Sequence, residues 1–205
     1  MRQRTEAPER RRDDLLDAAR EIVLEKGVAG LTVDEVTARA AVAKGTFYLY
    51  FRSKQQLVAA LQDRFVDDLT ARQRIELDQL DTGDWMGRLL LWMESSIRGY
   101  LAHAHLHDAL FHHPGSHDAA HEADPSINAH AAALVELLEA GTAAGAFRLF
   151  DPRAAAIVLY NTMHGTADHL VEQAQRRPAD HSADLVDTVV TECLELCRRY
   201  VGPAG

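Results

Sequence analysis

The chain is poor in the residues that mark several other classes of protein. It has two cysteines in 205 residues. They are Cys193 and Cys197, four apart on one expected helix, which gives no disulfide framework. Core packing is their expected role, with a thiol sensor as the alternative. No stretch approaches eighteen consecutive apolar residues, so no segment is expected to span a membrane. The first residues are charged and lack the apolar centre of a secretion signal, and the chain reads as cytoplasmic. Six prolines and twelve glycines leave long runs of helix formers, and the period-two alternation of a strand appears nowhere. G-x-S-x-G, a Walker loop and a dinucleotide fingerprint are all missing. Nothing calls for a cofactor, and an enzyme is not expected. What is present is a hydrophobic fraction of 47%, enough for a real core, at helical spacing. The fold class is all-α.

The formal net charge of −9 argues against a nucleic-acid partner only if taken whole. Residues 1 to 54 hold 11 Lys and Arg against 9 Asp and Glu, a balance of +2. The other 151 residues hold 11 against 22, a balance of −11. An acidic body with a mildly basic head is oriented by DNA, head first. Residues 1 to 12 are polar and Arg-rich. They read as an arm in which Arg4 and Arg10 to Arg12 reach phosphates or the minor groove, or as a solvated tail. A helix follows from Asp13 to Lys26, with Leu15, Leu16, Ala19, Ile22 and Val23 on one face and Gly27 at its end.

The stretch from Thr32 to Lys54 is the most informative. Thr32 and Glu35 form a T-x-x-E capping box, and Ser53 and Gln56 a second one that opens a long helix. Between them lies a short helix over about Lys44 to Tyr50. Phe47 and Phe51 are four apart and share its buried face. Lys44, Gly45, Thr46, Tyr48, Leu49 and Tyr50 are left on or near the outward side. Exposed tyrosines bracketed by Lys44 and Lys54, beside a glycine that permits close approach, suit a helix laid into a DNA groove. A helical hairpin with solvated tyrosines is the bland alternative.

This stretch resembles the DNA-binding domain of TetR-family transcriptional regulators. The likeness rests on T-V-D-E-V-T-A-R-A, then A-V-A-K-G-T-F-Y-L-Y-F and R-S-K-Q-Q-L, about a quarter of the chain. It implies an N-terminal three-helix helix-turn-helix domain (residues 1–54), joined by a long helix to a C-terminal effector-binding and dimerisation bundle (residues 55–205). It implies that Lys44, Gly45, Thr46, Tyr48 and Leu49 meet the major groove, with phosphate contacts from Thr32, Tyr48, Tyr50 and Lys54. Ala43 departs from the pattern, since many members carry a hydroxyl residue there. The implied activity is sequence-specific repression at a palindromic double-stranded DNA operator, relieved by a small-molecule effector. The long helix is the lever between effector and head.

After Ser53 the stripe Leu57, Leu61, Phe65 and Leu69 carries that long helix to about Leu77 or Leu80, where Asp81-Thr82-Gly83 breaks it. Five more helices are expected from 84 to 200. Asp124-Pro125 and Asp151-Pro152 read as N-cap and first-turn pairs. On the last two helices, Ala155, Leu159, Met163, Ala167 and Leu170 face Leu185, Val189, Leu194 and Cys197. These read as a homodimer interface, since a two-fold dimer reads two half-sites, or as cover for the monomer core. The effector pocket is expected from Trp92, Met93, Ile97, Tyr100, His107, Phe111, Met163 and His164, residues that equally suit an ordinary core.

Seven of the 11 histidines fall between His103 and His121. His103 and His107 stand at metal-ligand spacing, and His164 and His169 lie on a helix that could face them. The alternative function is therefore a metal-responsive regulator using the His-rich segment 103–121. Surface and pocket-lining histidines are the other reading.

Overall fold

The computed structural model describes residues 8–111, 129–176 and 183–202. Among these there are nine helices: α1 (Pro8–Gly30), α2 (Val33–Arg39), α3 (Lys44–Tyr50), α4 (Lys54–Leu77), α5 (Trp85–Ala102), α6 (Ala104–Phe111), α7 (Ala129–Ala143), α8 (Pro152–Arg176) and α9 (Ala183–Val201). The fold is all-α. No helix among the described residues is long and apolar enough to cross a membrane. Arg4, Asp124-Pro125 and the histidines His112, His113, His117 and His121 lie outside the described residues.

The residues form two compact units. The first takes residues up to Phe65 together with the segment from His105, and the second takes Val66–Ala104 and the chain from Ala123. The division thus falls within α4, and α6 joins the first unit.

In the first unit, Leu15, Leu16, Ala19, Ile22 and Val23 of α1 are buried with Val36, Phe47, Phe51, Leu57, Leu61 and Phe65. α1 begins at Pro8, earlier than the expected Asp13, so Arg10 to Arg12 are helical and not part of an arm. A proline fits the first helical turn because no N–H is needed there. The helical path breaks at Gly27, whose φ of 70° and ψ of 174° leave the helical region, as a stop at this glycine requires. Gln62 Nε2 donates to the Leu110 carbonyl at 2.8 Å, and His107 stacks on Phe111 with centroids 4.7 Å apart. Arg64 pairs with Asp17 at 2.8 Å.

In the second unit, α5 contributes Leu89, Trp92, Met93 and Ile97 to the core, and α7 contributes Leu134, Leu137 and Leu138. α8 adds Ala155, Leu159, Met163 and Leu170, and α9 adds Val190, Cys193 and Cys197. Asp84 caps α5, its Oδ1 accepting from Gly87 N at 2.9 Å. Asp151 caps α8, accepting from Arg153 N at 2.9 Å and Ala154 N at 3.2 Å.

Two helices end on the same device. At α7, Gly145 N bonds to Thr142 O (3.0 Å) and Ala146 N to Gly141 O (2.9 Å), with Gly145 at φ 75°. At α2, Ala41 N bonds to Ala38 O (3.2 Å) and Val42 N to Thr37 O (3.0 Å), with Ala41 at φ 53°. Both are Schellman closures, which need a left-handed residue just past the helix. Ala41 pays a steric cost there that glycine avoids, about 1–2 kcal/mol, partly offset by the larger entropy glycine loses on folding. Ala41→Gly should therefore stabilise the protein by roughly 0.5–1 kcal/mol, read as a rise in the urea midpoint. Gly141→Ala should do the reverse. Its new Cβ would lie 2.3 Å from the Phe147 ring, an overpacking worth about 1–3 kcal/mol.

Candidate nucleic-acid interface and effector cluster

Residues around α2 and α3 present a defined surface. Thr32 caps α2, its Oγ1 accepting from Glu35 N at 3.2 Å. The return half of the expected capping box is replaced, because the Glu35 carboxylate bonds Lys26 Nζ at 2.5 Å. An ammonium nine residues away outcompetes a backbone N–H for the charge. Val36 and Thr37 bury the inner face of α2. Phe47 is fully buried and Phe51 nearly so, with ring centroids 5.7 Å apart. Their seating turns the rest of α3 outward.

The outward side matches the expected DNA-contact set in position. Lys44 and Gly45 are exposed, Tyr48 is 53% exposed and Leu49 79%. Tyr48 rests edge-on against Phe47, centroids 5.3 Å apart. Thr46, Tyr50 and Lys54 are half-buried and Thr32 is exposed at the cap. At the start of α4 the forward half of the Ser53–Gln56 box forms, while the Gln56 side chain reaches one residue further back than the cap, to Arg52. Gln56 N bonds Ser53 Oγ at 3.2 Å, and Gln56 Oε1 accepts from Arg52 N at 2.6 Å.

In the second unit a polar and aromatic cluster lies inside the helices. Trp92, Ser96 and Tyr100 follow one another at four-residue spacing on α5, and Tyr160, His164 and Asp168 do so on α8. Tyr100 hydrogen-bonds to Asp168, and His164 Nε2 lies 3.8 Å from the same carboxylate. Tyr160 stacks on His164 at 5.9 Å. His130 of α7 stacks on Trp92 at 4.9 Å, and its Nε2 is 2.9 Å from Ser96 Oγ. Gln73 of α4 is buried. Its Nε2 lies 2.8 Å from Ser95 Oγ, 2.9 Å from Ser96 Oγ and 3.0 Å from the Trp92 carbonyl. The Trp92 indole N–H is buried with no acceptor among the described residues.

Of the eight expected effector residues, Trp92, Tyr100 and His164 belong to this cluster. Met93, Ile97 and Met163 are packed in the core. His107 and Phe111 belong to the first unit, with Phe65. Gln73, Ser96, His130, Tyr160 and Asp168 were not foreseen. The signal for Ser96, Tyr160 and Asp168 is the inward polar stripe at i, i+4, i+8 on two helices; Gln73 on α4 and His130 on α7 have no such signal.

The described histidines do not gather as a metal reading requires. Among the described residues no three His, Cys, Asp or Glu side chains converge. His103 Nε2 lies 3.2 Å from Arg72 Nη1, His164 lies beside Asp168, and His169 is exposed. Burial pushes the Cys197 thiol up to about 12, so it stays protonated and unreactive at neutral pH. Of the expected interface residues, Ala155, Leu159, Met163, Ala167, Leu170 and Cys197 are buried within the unit, and Leu185, Val189 and Leu194 are half-buried. The six buried ones are packed in the core of the unit. The apolar residues facing out are Ile157 and Val158 on α8 and Leu196 and Tyr200 on α9.

Residues 15–61 match the family of bacterial regulatory proteins described as the tetR family. Over these residues the chain belongs to the TetR family. It is 31% identical over 93 residues to the transcriptional repressor NemR of Escherichia coli K12. That match covers 45% of this chain and 46% of NemR, so it spans about half the length of the curated relative. A TetR-family transcriptional regulator from Pectobacterium atrosepticum has the same fold, with a TM-score of 0.68 at 24% identity over 98% of this chain and 100% of that one. The regulator FadR of Bacillus subtilis, in complex with stearoyl-CoA, has a TM-score of 0.64 at 22% identity, covering 90% of this chain and 96% of that one.

His130 carries a pH dependence. Its enclosed ring, and then the nearby His164, push its pKa down to about 4. The folded value lies below the unfolded one, so stability is complete above about pH 6.5 and is lost as pH falls towards 4. The loss should be on the order of 3 kcal/mol, measured as the urea midpoint against pH, and His130→Gln should flatten that slope.

Proposed function

We propose that this protein is a cytoplasmic, sequence-specific DNA-binding repressor, not an enzyme, which acts as a homodimer and leaves its operator when a small molecule binds the second unit. The observation that carries this reading is the outward face of α3. Lys44, Gly45, Tyr48 and Leu49 stand free of the core on a helix whose inner face is locked by Phe47 and Phe51. Lysine and tyrosine tips hold phosphates, and short side chains let the helix reach base edges. Thr32, Thr46, Tyr50 and Lys54 complete the contact set.

A second copy of this chain is the fitting occupant for the apolar face of α8 and α9. Ile157, Val158, Leu196 and Tyr200 are each 40–50% exposed, on the two helices whose buried apolar stripes are already used in the core. A two-fold dimer matches a palindromic operator, because each head reads one half-site.

The effector reading rests on the cluster around His130 and His164. Aromatic faces with a few convergent polar groups suit a small flat ligand. The Trp92 N–H offers a donor, so an effector with a hydrogen-bond acceptor fits it. The stearoyl-CoA of the Bacillus subtilis protein is not carried over, because that likeness is one of fold.

Two variants test this. The wild-type protein should enrich a preferred duplex from a randomised pool, and Tyr48→Ala should weaken binding to it at least roughly tenfold, the scale of one base or phosphate contact. Its dimer mass should be unchanged. Binding unaltered by Tyr48→Ala would overturn the assignment of α3. Leu196→Glu with Ile157→Glu should give a folded monomer by light scattering that no longer retards the selected duplex.

A further inference from the structure

Among the described residues of the head, Lys26, Arg39 and Lys44 are held in ion pairs. Lys26 pairs with Glu35 at 2.5 Å, and Arg39 with Glu25 at 2.6 Å and Glu21 at 3.5 Å. These pairs brace α1 against α2. One pair is placed differently. Lys44 Nζ lies 2.6 Å from Asp34 Oδ1, with the two side chains 56% and 75% exposed. It joins α2 to the first residue of α3, at the edge of the face that carries Tyr48 and Leu49. The Asp34 carboxylate, with a smaller contribution from Tyr48, holds the Lys44 proton more firmly than usual.

We propose that Asp34 is a specificity-determining residue, a counter-ion that keeps Lys44 from binding phosphates in non-specific encounters and gives it up only at a correctly docked operator. This rests on the DNA-binding reading above. A lysine already neutralised by a carboxylate releases no counterion when the head meets random duplex, so it adds nothing to the salt-dependent affinity that dominates such encounters. An exposed ion pair is a weak interaction. A phosphate or base edge held in register by the rest of α3 therefore displaces Asp34, and a passing one does not. Once displaced, the carboxylate stands beside a polyanion, which penalises every pose that lacks compensating contacts.

The test measures affinity and its salt dependence on two duplexes, the one enriched by the wild-type protein and a random one. Asp34→Asn should strengthen binding to random duplex about three- to tenfold near 0.1 M salt and steepen its log–log salt slope by about 0.9, the value of one added phosphate contact. Binding to the enriched duplex should change less, so the specificity ratio falls. Asp34→Glu should keep the wild-type ratio. In a Lys44→Met background, Asp34→Asn should leave the random-duplex slope unchanged. A random-duplex slope and affinity unaltered by Asp34→Asn would overturn the inference. So would the same gain in the Lys44→Met background, which would mark a bulk charge effect. Wild-type binding is read first. If it shows no preference between duplexes, the DNA-binding reading falls and this inference with it. A selective wild type with an inert Asp34→Asn removes the inference alone.

Discussion

The burial of Phe47 and Phe51 is the constraint on which the surface of the head depends. A seven-residue helix is too short to be stable by itself, since nucleation alone outweighs the few hydrogen bonds it makes. Two aromatic rings on one face supply what propensity cannot. They also fix rotation. Turning α3 by one residue, about 100°, would expose a ring and bury Tyr48 or Lys44. The identity of the outward residues thus follows from the inward ones. Arg12 adds a contact from α1, its guanidinium 5.6 Å from the centre of the Phe51 ring.

The sequence was most legible where a side chain does one local job. The stop of α1 at Gly27, the caps at Thr32, Ser53 and Asp151, and the paired rings of α3 all act within four or five residues of chain. It was least legible where distant partners compete. Glu35 is well placed in sequence to complete a capping box, yet Lys26 takes its carboxylate. The apolar stripe of α8 was clear, but a stripe does not say whether its partner is the same chain or another. Here it is the same chain, and Ile157 and Val158, outside the stripe, are what remains uncovered. The place where α4 passes from one unit to the other is likewise a matter of which residues meet, and Phe65 meets His107 and Phe111 across some forty positions of sequence.

The cluster in the second unit shows why a buried polar site is hard to read from one sequence. Its members are scattered over α4, α5, α7 and α8, and none is conspicuous alone. Ser96 is a small residue in an apolar stripe, and Gln73 lies in a helix full of charged neighbours. Folding makes them a network because each buried polar group must find a partner. Ser96 has one proton and is near the Trp92 carbonyl, Gln73 Nε2 and His130 Nε2. If its proton goes to the carbonyl, both nitrogens must donate to its oxygen. That sets His130 as the Nε2–H tautomer and agrees with the neutral ring that burial demands.

Charge sums describe the head less well than charge pairs do. A balance of +2 over residues 1 to 54 suggests a faint general attraction to DNA. Lys26, Arg39 and Lys44 are engaged by carboxylates, so at least these three of its 11 cations start from a neutralised state. Ion pairs of this kind hold α1, α2 and α3 in register, and the cations in them are least available to a passing polyanion. Binding strength must then come from contacts that form together only in the right geometry. For a protein with an acidic body, that arrangement favours few sites over many.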